Sequence, residues 1–197
     1  MSTQLEADIS EILIPPDRLQ ERVRELARQI ERDYADLRPL LVGVLRGSVY
    51  FLTDLTRHLH IPHEIDFMAI AAYGTRHATT GAVRLLKDLE DEITDRHVIL
   101  VEDIVDTGLT AAYLTRLLRA RKPASFTICV LLDKRARRIA EDLPLGYIGF
   151  EIPDRFVVGY GLDFRQLYRN LPFVGVLREE ILAQEPPTPP EPRPPRA

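Results

Sequence analysis

Three carboxylates and a loop of small residues follow one another in the stretch His97-Val-Ile-Leu-Val-Glu102-Asp103-Ile-Val-Asp106-Thr107-Gly108-Leu109-Thr110. An apolar run that ends in acids and then opens a helix has the parts of a ligand site. The turn from Asp106 to Thr110 brings successive backbone N–H groups to a helix N-terminus, with Gly108 free to take positive φ and two hydroxyls at hand, which suits a phosphate. Glu102 and Asp103 stand just before it, where the strand gives out. Such an acid pair can accept hydrogen bonds from vicinal hydroxyls or hold Mg²⁺ through oxygen. A phosphate loop behind a hydroxyl-binding acid pair describes a ribose 5-phosphate site. No G-x-x-x-x-G-K-[ST] loop occurs, and Gly159-x-Gly161 lacks its third glycine because Phe164 stands there, so ATP-loop and dinucleotide fingerprints are absent.

The elements that must carry these residues read as alternating strands and helices. Residues 98–101 form a short aliphatic run suited to a strand buried on both faces, and residues 111–121 have helical composition. Residues 40–45 are near-continuously apolar, as a central parallel strand should be, and Arg46-Gly47-Ser48 follows before a helix over 49–59. That strand, Gly turn and helix offer a second anion site with a cation added. Further strands are expected at 65–71, 83–86, 126–132, 147–150 and 173–177. Pro15-Pro16-Asp17 announces a first helix with Asp17 as N-cap and Leu19, Val23, Leu26, Ala27, Ile30 and Tyr34 on one stripe. The order predicts an α/β fold with a mainly parallel central sheet flanked by helices and with ligand loops at the carboxyl ends of the strands.

Composition excludes several classes. The 197 residues are 45% hydrophobic and 28% charged, which fits one globular domain with a real core. A net charge of −4 with a pI of about 5.8 gives no general pull toward nucleic acid or anionic membrane. The single Cys129, inside an apolar run, reads as a buried small hydrophobe and fits a reducing cytosol. Neither a signal peptide nor a membrane anchor is evident, so a cytoplasmic address is expected. His58, His60 and His63 flank a helix-to-strand connection at spacings that do not line one face, which argues against a metal set. Three regions are expected: an N-terminal tail over 1–9, one domain over 10–180, and a Pro-rich, disordered tail over 184–197.

The acidic stretch resembles the signature of the phosphoribosyltransferases, enzymes that use phosphoribosyl pyrophosphate (PRPP), and Asp106 is similar to the aspartate of the hypoxanthine-guanine branch. The resemblance runs over about residues 10–178. It implies a type I phosphoribosyltransferase fold with a small hood subdomain built from both chain ends, purine salvage from PRPP and a 6-oxopurine base with Mg²⁺, and a homo-oligomer, dimer or tetramer. Carried over residue by residue, it implies that Asp106 accepts the purine N7 proton. Glu102, Asp103 and the loop Asp106, Thr107, Gly108, Leu109 and Thr110 would hold ribose and 5-phosphate. Arg46, Gly47 and Arg169 would meet pyrophosphate, with arginine where the family usually has lysine. Lys134 would donate to the 6-oxygen, Phe156 would stack on the base, and Val157 would bond it through the backbone. Asp163 would touch the metal or the 2-position side, so that Glu102, Asp103 and Asp163 form the metal set. Tyr73, preceded by Ala72 where the family has serine, opens a segment through Gly81 with no apolar periodicity, expected to be a lid. Two rivals are kept: a phosphoribosyltransferase-like RNA-binding regulator that senses nucleotides, and an enzyme preferring xanthine or guanine.

Overall fold

The computed structural model describes residues 4–72 and 83–184. Helix α1 (Gln4–Ala7) leads into strand β1 (Ile9–Ile14), helix α2 (Pro16–Asp33), strand β2 (Leu40–Leu45), helix α3 (Val49–Arg57), and strands β3 (Glu64–Ala72) and β4 (Val83–Lys87). Strand β5 (His97–Val105), helix α4 (Leu109–Arg119), strand β6 (Ser125–Asp133) and strand β7 (Leu145–Glu151) follow. Strands β8 (Val157–Val158) and β9 (Val174–Leu177) and helix α5 (Glu179–Ala183) complete the chain.

Six strands form one sheet in the order β4-β3-β2-β5-β6-β7, all parallel except β4, which pairs antiparallel with β3. Successive residues of the central strands serve opposite layers, as a period of two demands. Leu41, Ile99, Val101, Cys129 and Leu131 pack toward α2 and α3, while Val42, Val98, Leu100, Ile128 and Val130 pack toward Ala111, Leu114 and Leu118 of α4. Cys129 is the buried apolar residue expected, and burial pushes its thiol well above the ordinary range. The expected parallel α/β architecture is thus present, with each strand found within two residues of its expected start.

The second sheet is the hood. Its order is β1-β9-β8, all antiparallel, so the N- and C-terminal ends of the chain combine as the resemblance implied. Strand β1 is not foreseen from its own pattern, because its burial runs in, out, out, out and in rather than alternating. The chain just before and at the start of β1 is tied to the rest of the molecule. Ile9 is buried, Arg178 donates to Ala7 O at 2.9 Å, and Tyr168 donates to Asp8 Oδ2 at 2.8 Å, all partners distant in sequence. A correction concerns α2: the cap is Pro15 and Pro16 occupies the first turn, with Asp17 inside the helix. Proline has no N–H to leave unsatisfied and its φ is already helical, so the helix starts two residues earlier than a cap at Asp17 would start it.

Tyrosine hydroxyls tie the layers together. Tyr160, between β8 and β9, donates to Asp54 Oδ2 on α3 at 2.7 Å, and Tyr147 on β7 donates to Asp33 Oδ2 at the end of α2 at 2.6 Å. Burial, and then the neighbouring carboxylate, push both hydroxyls far up, so both stay protonated donors. Replacing Tyr160 by Phe removes one charge-assisted bond across the hood-to-sheet seam while Gln20 still bonds Asp54 at 2.7 Å. The expected cost is about 1–2 kcal/mol, seen as a fall in melting temperature of roughly 2–8 °C; an unchanged melting curve would show that the hydroxyl does not tie the hood down.

Candidate active site

Strand β5 does not stop where its apolar run stops. Its pairing with β6 continues through Glu102↔Val130, Ile104↔Leu132 and Val105↔Asp133, so Glu102 and Asp103 lie inside the strand and not after it. Backbone ladder bonds carry the acids inward regardless of side-chain type. Both then line one cavity of about 350 Å³ at the carboxyl end of the sheet, with Arg46, Gly47, Asp163 and Arg169 on its far side. Four residues of the small-residue loop, Asp106, Thr107, Gly108 and Thr110, form its floor, whereas Leu109 is 39% exposed and is not part of the wall.

The loop is built as the sequence suggests. Gly108 takes φ +79° as the residue that opens α4, and α4 starts at Leu109, two residues earlier than expected. Thr107 is held from outside, its carbonyl accepting from Ile139 N at 2.9 Å and Ala140 N at 3.1 Å. The amides that begin α4 are therefore fixed in direction, and with the helix dipole behind them they suit an anion.

Across the cavity, Gly47 is required by contact. A Cβ there would lie 1.5 Å from Asp103 Oδ2, so the acid strand and the Arg46 turn can meet only over a bare backbone. The peptide bond between Leu45 and Arg46 is cis. Two guanidiniums are gathered by a residue that motif reasoning misses: Gln166 Oε1 accepts from Arg46 Nη1 at 3.0 Å and from Arg169 Nη2 at 3.2 Å. Arg169 also donates to Gly161 O at 2.6 Å and reaches Asp163 Oδ1 at 2.6 Å. Asp163 Oδ2 accepts from Gln166 N at 2.8 Å, so both its oxygens are engaged.

The acid pair is poorly compensated. Glu102 is 5% exposed and its Oε1 has no hydrogen-bond partner. Burial, and then the charge of Asp103, hold its carboxyl well above the usual range. Asp103 is pushed up to about 6, chiefly by burial, against the opposing pull of backbone N–H groups and Arg169. Among the described residues no three metal-ligating side chains converge, so Glu102, Asp103 and Asp163 are not a preformed metal triad.

A second cavity of about 300 Å³ adjoins the first and shares Ile104, Asp106 and Asp163 with it. Lys134, Phe156 and Val157 line it together. Lys134 is 5% exposed and fixed to the end of β5 by its N–H on Val105 O at 2.9 Å. Phe156 is 42% exposed, and Phe164 packs against it in a T-shaped pair at 5.5 Å between ring centres. Val157 is buried in β8. Two further residues of this cavity, Arg137 and Asp154, were not singled out. The cluster Lys134-Arg-Ala-Arg137-Arg reads in sequence as a basic helix cap, and nothing local shows that Asp154 returns to it. Tyr73 and the expected lid lie outside the described residues.

The phosphoribosyl transferase domain matches residues 10–165. The chain belongs to the phosphoribosyltransferase family. It is 43% identical over 174 residues to the hypoxanthine-guanine phosphoribosyltransferase of Bacillus subtilis, spanning 88% of this chain and 96% of that one. It is 47% identical over 167 residues to the hypoxanthine phosphoribosyltransferase of Salmonella typhimurium, spanning 84% and 93%. The crystal structure of a hypoxanthine phosphoribosyltransferase from Staphylococcus aureus superposes with a TM-score of 0.89 at 40% identity, over 93% of this chain and all of that one. The fold is therefore the type I phosphoribosyltransferase fold, and the chain is a transferase. Among the described residues no helix is long and apolar enough to cross a membrane.

The raised carboxyl of Asp103 has a consequence for stability. Its folded-state value near 6 lies above the ordinary 3.8, so between these values the folded chain binds a proton that the unfolded chain has lost. The stabilisation from that proton is complete below about pH 4 and is lost as pH rises through 6, a difference of roughly 2–3 kcal/mol. Asp103→Asn should therefore melt higher than wild type at pH 8 and close to it at pH 4. Equal or lower melting at pH 8 would contradict the burial of an uncompensated charge.

Proposed function

We propose that this chain is a purine-salvage enzyme that moves the 5-phosphoribosyl group of PRPP onto hypoxanthine, and onto guanine as a second base, releasing pyrophosphate and the nucleoside monophosphate. One observation carries the reading: the cavity with the anion loop and the cavity with Lys134 and Phe156 meet at the carboxylate of Asp106. A sugar-phosphate and a flat polar base can thus be brought against each other with a proton acceptor at the junction. The names of the B. subtilis and S. typhimurium relatives support the choice of base.

In this reading the 5-phosphate sits on the amides and hydroxyls of Asp106 to Thr110, and the ribose hydroxyls face Glu102 and Asp103. Pyrophosphate is met by Arg46, Gly47 and Arg169, the two guanidiniums being already adjacent through Gln166. The base stacks on Phe156, takes a hydrogen bond from Lys134 at its 6-oxygen, and bonds the Val157 backbone. As the N9–C1 bond forms, the C1–O bond to pyrophosphate breaks, and Asp106 takes the proton from N7. The reacting carbon is most positive in the transition state, and the nearby carboxylates stabilise it there.

The acid pair fits a magnesium ion. Glu102 offers a buried oxygen with no partner and Asp103 a second desolvated carboxylate, and Mg²⁺ is commonly held by one or two carboxylates together with substrate phosphate oxygens. Asp163 would take part only by giving up a contact to Arg169 or Gln166. When bound, the ion supplies charge neutralisation of the leaving pyrophosphate. We further read the chain as a cytoplasmic homo-oligomer. Exposed Ile65 on β3 and Leu86 on β4 are apolar surface that a second copy would cover, and sedimentation as a monomer at micromolar concentration would refute that.

Removing the proton acceptor tests the assignment. Asp106→Asn should lower kcat by about 10²–10⁴-fold, the usual worth of such a group, while the KM for PRPP stays within a few-fold. Wild-type turnover by the purified variant with hypoxanthine, PRPP and Mg²⁺ would refute the role.

A further inference from the structure

Charges around the second cavity alternate in sign. Lys134 Nζ lies 3.7 Å from Asp106 Oδ2 and 3.7 Å from Asp154 Oδ1. Arg137 Nε lies 3.2 Å from Asp106 Oδ1, and Arg137 Nη1 lies 3.4 Å from Asp154 Oδ1. The two oxygens of Asp106 are therefore not equivalent: Oδ1 is sealed from solvent with no hydrogen-bond partner and is held by the guanidinium only as an ion pair, and Oδ2 is on the side of Lys134. Arg137 belongs to the short 3-10 turn that follows β6, and its N–H donates to Lys134 O at 2.9 Å. The guanidinium and the lysine thus ride on one rigid piece of backbone, with Asp154 holding the guanidinium's other end.

We propose that Arg137 is a positioning residue for the proton acceptor, pinning Oδ1 of Asp106 so that Oδ2 is presented to the base. The inference rests on the reading of Asp106 given above. A carboxylate turns easily about its terminal torsion, which has broad wells. Proton transfer, however, needs the accepting oxygen within about 2.6–3.2 Å of the donor, and a misplacement of about 1 Å can cost up to 10²-fold. The guanidinium, its other end held by Asp154, biases that torsion through the charge it places beside Oδ1, and the point charge of a lysine would supply that only in part. Arg137 is 46% exposed along its side chain, so replacing it opens no core.

The test is a kinetic cycle on the full chain with Mg²⁺, PRPP and hypoxanthine, using Arg137→Ala, Arg137→Lys, Asp106→Asn and the double variant Asp106→Asn/Arg137→Ala. Arg137→Ala should lower kcat by about 10-fold with the KM for PRPP unchanged, and Arg137→Lys should recover part of that loss. In the Asp106→Asn background, Arg137→Ala should cost nothing more, because a residue acting only through Asp106 has nothing left to act on. Loss of the same factor in both backgrounds would overturn the proposal. So would an unchanged kcat, or a change confined to the KM for hypoxanthine, which would make Arg137 a base contact instead. Failure of the underlying reading shows separately, as wild-type turnover by Asp106→Asn alone.

Discussion

A buried acid, Glu102, and a half-buried one, Asp103, stand in succession near the end of β5, and much of the surrounding structure acts to put them there. Desolvating a carboxylate is costly, and Glu102 has a sealed oxygen that nothing in the chain satisfies. What holds it in place is the backbone: β5 keeps its ladder with β6 past the aliphatic run that ends at Val101, through Val105. The same ladder delivers Lys134 beside Asp106, since β6 ends at Asp133 opposite Val105. Asp103 then fixes how closely the Arg46 turn can approach, because its carboxylate rests against the bare backbone of Gly47. Strain of this kind, maintained by a packed scaffold at a cavity, is the pattern expected of a site built for a cationic or hydroxyl-rich ligand.

The hood is a different problem in assembly. It has two short strands from one end of the chain and one from the other; Ile14, Val157, Val174 and Val176 pack into the main core, and polar ties between residues distant in sequence add to that. Tyr160 on Asp54 and Tyr168 on Asp8 each join residues more than a hundred positions apart. Phe156 and Val157, which line the second cavity, lie at the start of this hood sheet.

Much of this was legible in the sequence, and the reasons for the failures are specific. Residues 40–45, 98–101 and 126–132 are aliphatic because both faces of their strands are buried, so composition alone identifies them. The acidic loop is legible because phosphate binding by backbone needs glycine and small hydroxyl residues at fixed spacing. Strand β1 is invisible because its partner is β9, 168 residues away by the Ile9↔Leu177 pairing, and its own burial does not alternate. The extension of β5 through Glu102 and Asp103 is hidden because pairing, not propensity, sets where a strand ends. Gln166, Arg137 and Asp154 belong to no motif. Each matters through a partner brought near by the fold, and a side chain of common type carries no mark of that.

Gln166 shows what such a partner can do. One neutral amide oxygen accepts from two guanidiniums at once, so two like charges rest near each other without an acid between them at that point. A carboxylate in its place would neutralise the pair and compete with any incoming polyanion. The amide adds no negative charge beyond that of Asp163, which already pairs with Arg169, so the two guanidiniums stand together in an arrangement that an arriving ligand finds already assembled.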